Sequence, residues 1–419
     1  MRLKVLPEDF RVKEVLTFKS SPSGPYFVHR LRKEKLDTLE AIGIVAKEGG
    51  ITREDIAFAG LKDRQAETEQ WISIRGKRLD IDRRDLQLQF VSRSEEPVTS
   101  KLSAGNAFQI VVRDLTLIDL ARIRRNTPSL LKAGFPNYFD DQRFGCLKHG
   151  QGFAMKSVLA GDFEQALHQI VARPSRVAIS GDVKLKKLLA RHWRDWEACA
   201  RIARGPLYQK VFKHLLDQPD DFRGALALLP TRMKLIHAFA YQSFLWNRAV
   251  AKYVRRNTLP RERVELETAL GGLVAWRYLK EDQLARVRAS ETPLYGPEGT
   301  GGAPPFAAVM REVLEESQLT PRDFLENKIP GMVLKEEQRP LLVEPREFSI
   351  SEAEPDETSP GRSKVRIAFE LPRGAYATML IKRLFADPPQ PRTDRMREPE
   401  RPRRPRHGRK RPWQKRPSE

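Results

Sequence analysis

Two cysteines in 419 residues, Cys146 and Cys199, are too few for a disulfide framework. Only seven histidines are present, and no cysteine or histidine cluster has zinc-ligand spacing. The ordinary state for both cysteines is a reduced, partly buried thiol. Long apolar runs are also missing, so no segment is suited to span a bilayer. The N-terminus, Met1-Arg2-Leu3-Lys4 running into a Pro-Glu-Asp turn, does not resemble a signal peptide. These absences argue against a secreted disulfide scaffold and an integral membrane protein. A soluble protein of the reducing cytoplasm is expected.

Acidic residues are comparatively scarce: 55 Asp+Glu face 76 Lys+Arg, for a net charge of +21. Such a field suits an anionic polymer better than a small neutral substrate. The tail accounts for part of it, carrying +7 between Ala386 and Glu419, which leaves +14 on the preceding 385 residues. The basic character therefore belongs to the body of the protein as well. At this length two or three domains are expected.

Along the chain the patterning changes twice. Phe10 to Leu16 and Tyr26 to Leu31 alternate like half-exposed strands. Thr38 to Lys47 fits a short helix that Thr38 could cap and Gly49-Gly50 would end. A turn at Gly105-Asn106 should lead into a strand over Phe108 to Arg113. Strands with few helices between them predict a largely antiparallel sheet and an α+β fold. From about Phe153 to Glu337 helical periodicity dominates, clearest over Thr231 to Trp246, where Leu235, Phe239 and Gln242 define a line with Ile236 and Phe244 beside it. The glycine-rich stretch from Gly296 to Pro305 lacks a Gly-Lys-Ser/Thr ending and reads as a flexible surface turn, not a phosphate loop. Strand signals return at Val365 to Leu371, and Tyr376 to Phe385 reads as a helix. After Ala386, eight prolines among arginines predict a disordered basic tail. A β-rich opening, a helical middle and a β-type closing fit one catalytic domain split by an insertion.

The segment from Ala59 to Trp71 carries the most chemistry: a glycine turn, the pair Lys62-Asp63, then Arg64, Gln65, Ala66, Glu67, Thr68, Glu69, Gln70 and Trp71. A carboxylate beside a cation on such a loop is a plausible place for an ionised catalytic group. On pattern alone, an Asp after a glycine is ordinarily a solvated turn residue.

Four ordered stretches together resemble the TruD-type pseudouridine synthases. Gly60-Leu61-Lys62-Asp63 with Ala66, Thr68, Gln70 and Trp71 is similar to that family's signature. Asn137-Tyr138-Phe139 followed by Gln142-Arg143-Phe144-Gly145 resembles its second motif. Asp9 to Glu14 resembles the N-terminal motif, and Phe369 to Thr378 the C-terminal one. Leu102, Gly105-Asn106 and Phe108 sit where the family has a strand entry. The resemblance spans residues 1 to 385 and stops before the tail.

The resemblance implies a pseudouridine-synthase catalytic domain with a mostly antiparallel sheet flanked by helices. It places the first part at 1–152, an inserted, largely helical α/β TRUD domain at 153–340, the closing part at 341–386 and the disordered basic tail at 387–419. It further implies isomerisation of uridine to pseudouridine in tRNA, with uridine 13 as the expected target and no cofactor or metal. The N-glycosidic bond breaks, the base rotates while bound, and C5 rejoins C1′. Asp63 is then the essential carboxylate, attacking C1′ or removing the 2′ proton. Lys4 would lie near it. Phe10, Phe139 and Phe369 would surround the flipped base, and Asn137 would hydrogen-bond the base or ribose. Arg143 would bind phosphate or brace the loop holding Asn137. Where the family often has Gly after Asn-Tyr-Phe, this chain has Asp140-Asp141, two acids expected close to the path of the RNA.

Two other readings compete. One is a catalytically idle RNA-binding protein or tRNA chaperone of the same fold, which the presence of Asp63, Asn137 and Phe139 disfavours. The other is a nucleic-acid glycosidase, which would ordinarily need a second carboxylate. Glu67 and Glu69 are the nearest in sequence and look like solvated strand residues. The partner expected is tRNA, with no membrane, and the chain is expected to be a monomer.

Overall fold

The computed structural model describes residues 1–388 apart from 63, 65, 148, 149, 151, 175–179 and 300. Asp63 and nearly all of the expected basic tail therefore lie outside the described residues. In chain order the first elements are β1 (Phe10–Leu16), β2 (Tyr26–Lys33), α1 (Thr38–Gly49), β3 (Ile56–Phe58), β4 (Glu67–Arg75), β5 (Ile81–Asp82), β6 (Leu86–Ser94) and β7 (Ser103–Leu115). A helical stretch follows, made of α2 (Leu117–Ala133), β8 (Phe135–Pro136), α3 (Ala154–Leu159), α4 (Phe163–Val171), α5 (Ser180–Arg191), α6 (Trp196–Ile202), α7 (Pro206–Asp217), α8 (Phe222–Ala227) and α9 (Thr231–Asn257). Then come β9 (Arg263–Leu266), β10 (Leu273–Trp276), α10 (Glu281–Arg288), α11 (Phe306–Glu316) and α12 (Pro321–Glu326). The chain closes with β11 (Leu342–Val343), β12 (Arg346–Ile350), β13 (Glu354–Pro355), β14 (Ser363–Pro372) and α13 (Ala377–Phe385). Among the described residues no helix is long and apolar enough to cross a membrane.

Ten strands form one sheet in the order β12-β14-β7-β1-β4-β2-β6-β5, with β13 on β14 and β3 on β4. Only β1 and β4 run parallel; every other pair in it is antiparallel. The sheet thus joins the first 115 residues to a strand arriving after residue 362. The fold is α+β with a mostly antiparallel sheet flanked by helices, as expected from the strand patterning. Alternation on β1 puts Phe10, Val12 and Glu14 on the covered face and Arg11 and Lys13 in solvent. Toward β6, helix α1 packs Ala41, Ile42 and Val45 on Leu31, Ile72, Ile74 and Leu88. Each fully buried Leu, Ile or Val of that patch contributes about 1.5–3 kcal/mol.

Several local expectations shift. Helix α1 is capped by Asp37, whose carboxylate accepts from Glu40 N at 2.9 Å while Glu40 reaches back to Asp37 N at 2.8 Å. Thr38 instead turns its hydroxyl into the sheet. The helix ends on Gly50 at φ +58°, a conformation glycine adopts without strain. Gly105-Asn106 is not a turn but the interior of β7. A side chain at Gly105 would stand 2.2 Å from Leu371 O, so only glycine admits β14 this close. Helix α9 buries Ala238, Tyr241, Gln242, Leu245 and Trp246, whereas Ile236 is 48% exposed. In the stretch expected to be a surface turn, Gly296 and Gly301 are buried. Asp387, counted with the tail, is held by Arg122 and by Arg125 at 3.0 Å.

A buried ion cluster fastens the turn before β1 to the β13–β14 hairpin. Arg113 of β7 donates to Asp9 at 2.9 Å and to Asp356 at 3.0 Å, all three being almost fully buried. Burial opposes ionisation of Asp356, but donors from Asp114 N, Thr358 and Arg113 outweigh it and hold its carboxyl below the ordinary range. Glu357 is pushed down to about 2 by Lys364, its own backbone N–H and Arg113. Both pKa values fall on folding, so their contribution is complete above about pH 4 and fades as the pH drops through the folded values. Replacing Arg113 by Leu leaves buried carboxylates unpaired and should cost about 3–5 kcal/mol in urea unfolding at pH 7. The loss should shrink in acid, where the wild type has surrendered the same interactions.

Candidate active site

Strand register sets out the floor. Val12 stands beside Thr68 of β4 and Phe108 of β7, and Phe108 faces Phe369 of β14. One rung along, Glu14 faces Asn106, which faces Leu371. Phe108 stacks on Phe369 with centroids 5.5 Å apart, and Phe10 meets Phe108 edge-on at 6.3 Å. Lys4 lies above Phe10, its Nζ 4.4 Å from the ring centroid. The structure thus gathers Lys4, Phe10 and Phe369 into one cluster, joined by Phe108.

The loop bearing Asp63 is fixed at both described neighbours. Lys62 Nζ donates to the buried Glu14 carboxylate at 2.6 Å, and Lys62 N donates to Thr38 Oγ1 at 2.8 Å. Thr38 in turn donates to Gln70 Oε1 at 3.0 Å. Arg64 donates to Glu40 at 2.6 Å and to Lys35 O at 3.1 Å. Lys62, read in sequence as the cation beside Asp63, is therefore the ion-pair partner of Glu14. Glu14 also accepts from Trp71 N at 3.1 Å. Around it, Thr68 Oγ1, Gln70 Nε2 and Asn106 Oδ1 are buried polar atoms with no hydrogen-bond partner among the described residues.

Asn137 and Phe139 form a second cluster. Arg339 donates to Asn137 O at 2.7 and 3.0 Å, to Asn137 Oδ1 at 2.8 Å and to Gly374 O at 3.0 Å. Its guanidinium lies 3.8 Å above the Phe139 ring. Burial, only partly offset by Tyr376, lowers the Arg339 pKa to about 9, which leaves it a cation at neutral pH. Asn247 of α9 clamps the Phe139 backbone, accepting from its N at 2.9 Å and donating to its O at 2.8 Å. Trp246 and Tyr376 meet the ring edge-on. Arg143 lies between Phe139 and Phe239 at 5.3 and 5.4 Å and donates to Ser243 at 3.1 Å.

Asp140 and Asp141 do not stand bare toward an RNA path. Lys382 of α13 donates to Asp140 at 2.6 Å and to Asp141 at 2.7 Å, and Thr378 also donates to Asp140. Asp140 is 5% exposed. The pair bolts the Phe139 loop to the closing helix.

Sequence reasoning missed Arg339, Asn247 and Lys382, which lie more than 100 residues from Asn137, Phe139 and Asp140 respectively and show no local pattern. Glu14 carried a readable signal: a carboxylate on the same alternating face as Phe10 and Val12 needs a buried partner. Both cysteines are free thiols, Cys146 half-buried as expected and Cys199 fully buried, with burial raising both to about 11.

Residues 1–384 match the family model described as tRNA pseudouridine synthase D (TruD). A candidate synthase of that family from Methanocaldococcus jannaschii is 31% identical over 394 residues, covering 92% of each chain. The tRNA pseudouridine synthase D of Aquifex aeolicus is 29% identical, covering 92% of this chain and 98% of its own. A crystal structure of a TruD candidate from Methanosarcina mazei shares the fold, with a TM-score of 0.68 at 24% identity over 91% of this chain and 93% of the other. The protein is an isomerase of the pseudouridine synthase class, forming pseudouridine in tRNA. It belongs to the tRNA pseudouridine synthase D (TruD) family.

Two substitutions probe how the second cluster is held. Lysine at position 339 keeps the charge but cannot fork across Asn137 and Gly374. Arg339→Lys should lower kcat about tenfold with the tRNA KM within about twofold, checked by steady-state kinetics. Lys382→Ala strands Asp140 and should destabilise the fold by about 3 kcal/mol, whereas adding Asp140→Asn should restore most of that in a double-mutant cycle.

Proposed function

We propose that this enzyme isomerises uridine 13 of tRNA, with Asp63 as the essential carboxylate acting on the ribose. What carries the reading is the anchoring of Lys62 and Arg64 on either side of Asp63, next to a sheet face bearing Phe10, Phe108 and Phe369. A flipped base needs such aromatic surfaces to replace the stacking it gives up. Asn137, its carbonyls held by Arg339, is the amide that fixes the base or ribose. Phe139 completes the wall, and Lys4 supplies positive charge that favours ionised Asp63. Buried atoms of Thr68, Gln70 and Asn106 give the nucleoside further donors and acceptors. Residues 1–152 and 341–386 make up the catalytic domain in this reading, and 153–340 the inserted TRUD domain. The reaction moves no electrons to or from a cofactor: the N1–C1′ bond breaks, a C5–C1′ bond forms, the proton on C5 is lost and N1 takes one up.

The test is pseudouridine mapping in unmodified tRNA transcripts. Product at position 13 is expected from the wild type and none from Asp63→Ala, with tRNA binding retained. Isomerisation by Asp63→Ala would sink the assignment. A 2′-deuterated substrate separates the two roles of the carboxylate, since a primary isotope effect on product formation requires removal of the 2′ proton.

The basic tail contributes contacts to phosphate that are independent of sequence. Truncation after Asp387 should weaken tRNA binding and flatten its salt dependence, and an unchanged slope would exclude the contribution.

A further inference from the structure

A uridine drawn out of its stack keeps a phosphate on each side, and those charges need a seat. Beside the Phe139 loop lies a cleft enclosing about 240 Å³ between α9, Phe144 and the loop 268–272. Arg248, Lys252 and Arg255 of α9 line it at i, i+4 and i+7, hence on one helix face. Glu316 of α11 pairs with Arg248 and Lys252, while Glu312 pairs with Lys252 and Arg256. Arg255 is exposed and forms no ion pair among the described residues.

The opposite wall, formed by Thr268 and residues 270–273, presents bare backbone at Gly271 and Gly272. Among the described residues, and leaving aside the chain neighbours, no heavy atom lies within 4 Å of where a side chain would start at Gly271 or Gly272, and Gly271 holds φ +114°, which other residues avoid. Thr268 donates to Gly271 O and shapes the loop. Phe244 offers an apolar surface, with the Arg248 guanidinium 5.8 Å from its ring. Three hydrogen bonds couple the cleft to the site: lining residue Asn247 clamps Phe139 with two, and Ala269 N donates to Asp141 at 2.8 Å.

We propose that this cleft seats a backbone phosphate and its nucleoside from the tRNA strand flanking the flipped uridine, an inference that rests on the isomerase reading. The cations take the phosphate, and the aromatic and glycine walls take ribose and base without reading a base edge. The contact is therefore independent of sequence. It sits a fixed distance from Phe139 because both hang on α9.

The experiment uses the full chain with Lys252→Gln and Arg255→Gln together. Equilibrium binding of an unmodified tRNA transcript is followed between about 50 and 200 mM salt in an Asp63→Ala background, and kinetics in the otherwise wild-type chain. Affinity should fall about tenfold, the salt slope should drop by about 1 to 2, and KM should rise in step while kcat holds within about twofold. Glu316→Gln, which frees Arg248 and Lys252, should tighten binding about threefold at the low-salt end, a gain that misfolding cannot imitate. Unchanged affinity and slope in the double variant overturn the proposal. So does a fall in kcat at constant KM, which would assign these cations to holding the Phe139 loop. Should the wild type bind tRNA with the expected slope yet make no pseudouridine, the isomerase reading fails while the binding arm still decides the cleft.

Discussion

One guanidinium holds the second cluster of the candidate site together. Arg339 reaches the backbone and side chain of Asn137, the carbonyl of Gly374 and the face of Phe139 at once. Those three residues belong to the two motifs that flank the helical stretch in sequence, and Arg339 comes from its far end. A flexible or point-like cation could satisfy one of these partners but not all. Partly burying it is offset because its donors face carbonyl oxygens, so the charge and the acceptors relieve each other.

The first cluster is built differently, by strand register alone. Alternation on β1, β7 and β14 stacks Phe10, Phe108 and Phe369 without a specific bond between them. Glu14 is the exception in that face. Its ion pair with Lys62 converts a buried charge into an anchor for the loop ahead of Asp63. Aromatic surface and loop tether are thus supplied by neighbouring rungs of one sheet.

Much of this fold was legible from periodicity. The alternations at Phe10, Tyr26 and Val365 became β1, β2 and β14, and the helical patterns at Thr38, Thr231 and Tyr376 became α1, α9 and α13, within a residue or two except where α9 runs on to Asn257. Errors came where two local signals compete. Asp37 and Thr38 both suit a helix cap, and the reciprocal bond with Glu40 decides for Asp37. Gly105 suits a turn or a close strand approach, and only the arrival of β14 distinguishes them. In the candidate site, the motif residues fall into two clusters, Lys4, Phe10 and Phe369 in one and Asn137 and Phe139 in the other, whereas the position of Asp63 stays outside the described residues. Arg339, Asn247 and Lys382 were not readable, because a residue acting through a partner more than 100 positions away leaves no periodic trace. The acids at 140 and 141 show the reverse: their charge was visible, and its neutralisation by α13 was not.

The sheet's junction of β7 with β14 has a consequence for biosynthesis. A ribosome releases β7 long before β14, and at ordinary elongation rates the wait is on the order of tens of seconds. Throughout it, the outer edge of β7 offers unpaired backbone groups to any passing strand. The same delay leaves Arg113 without Asp356, its acid from the late hairpin. The nascent chain therefore carries an open edge and an incomplete ion cluster until β14 emerges. A long interval with an open sheet edge is built into the order of the strands.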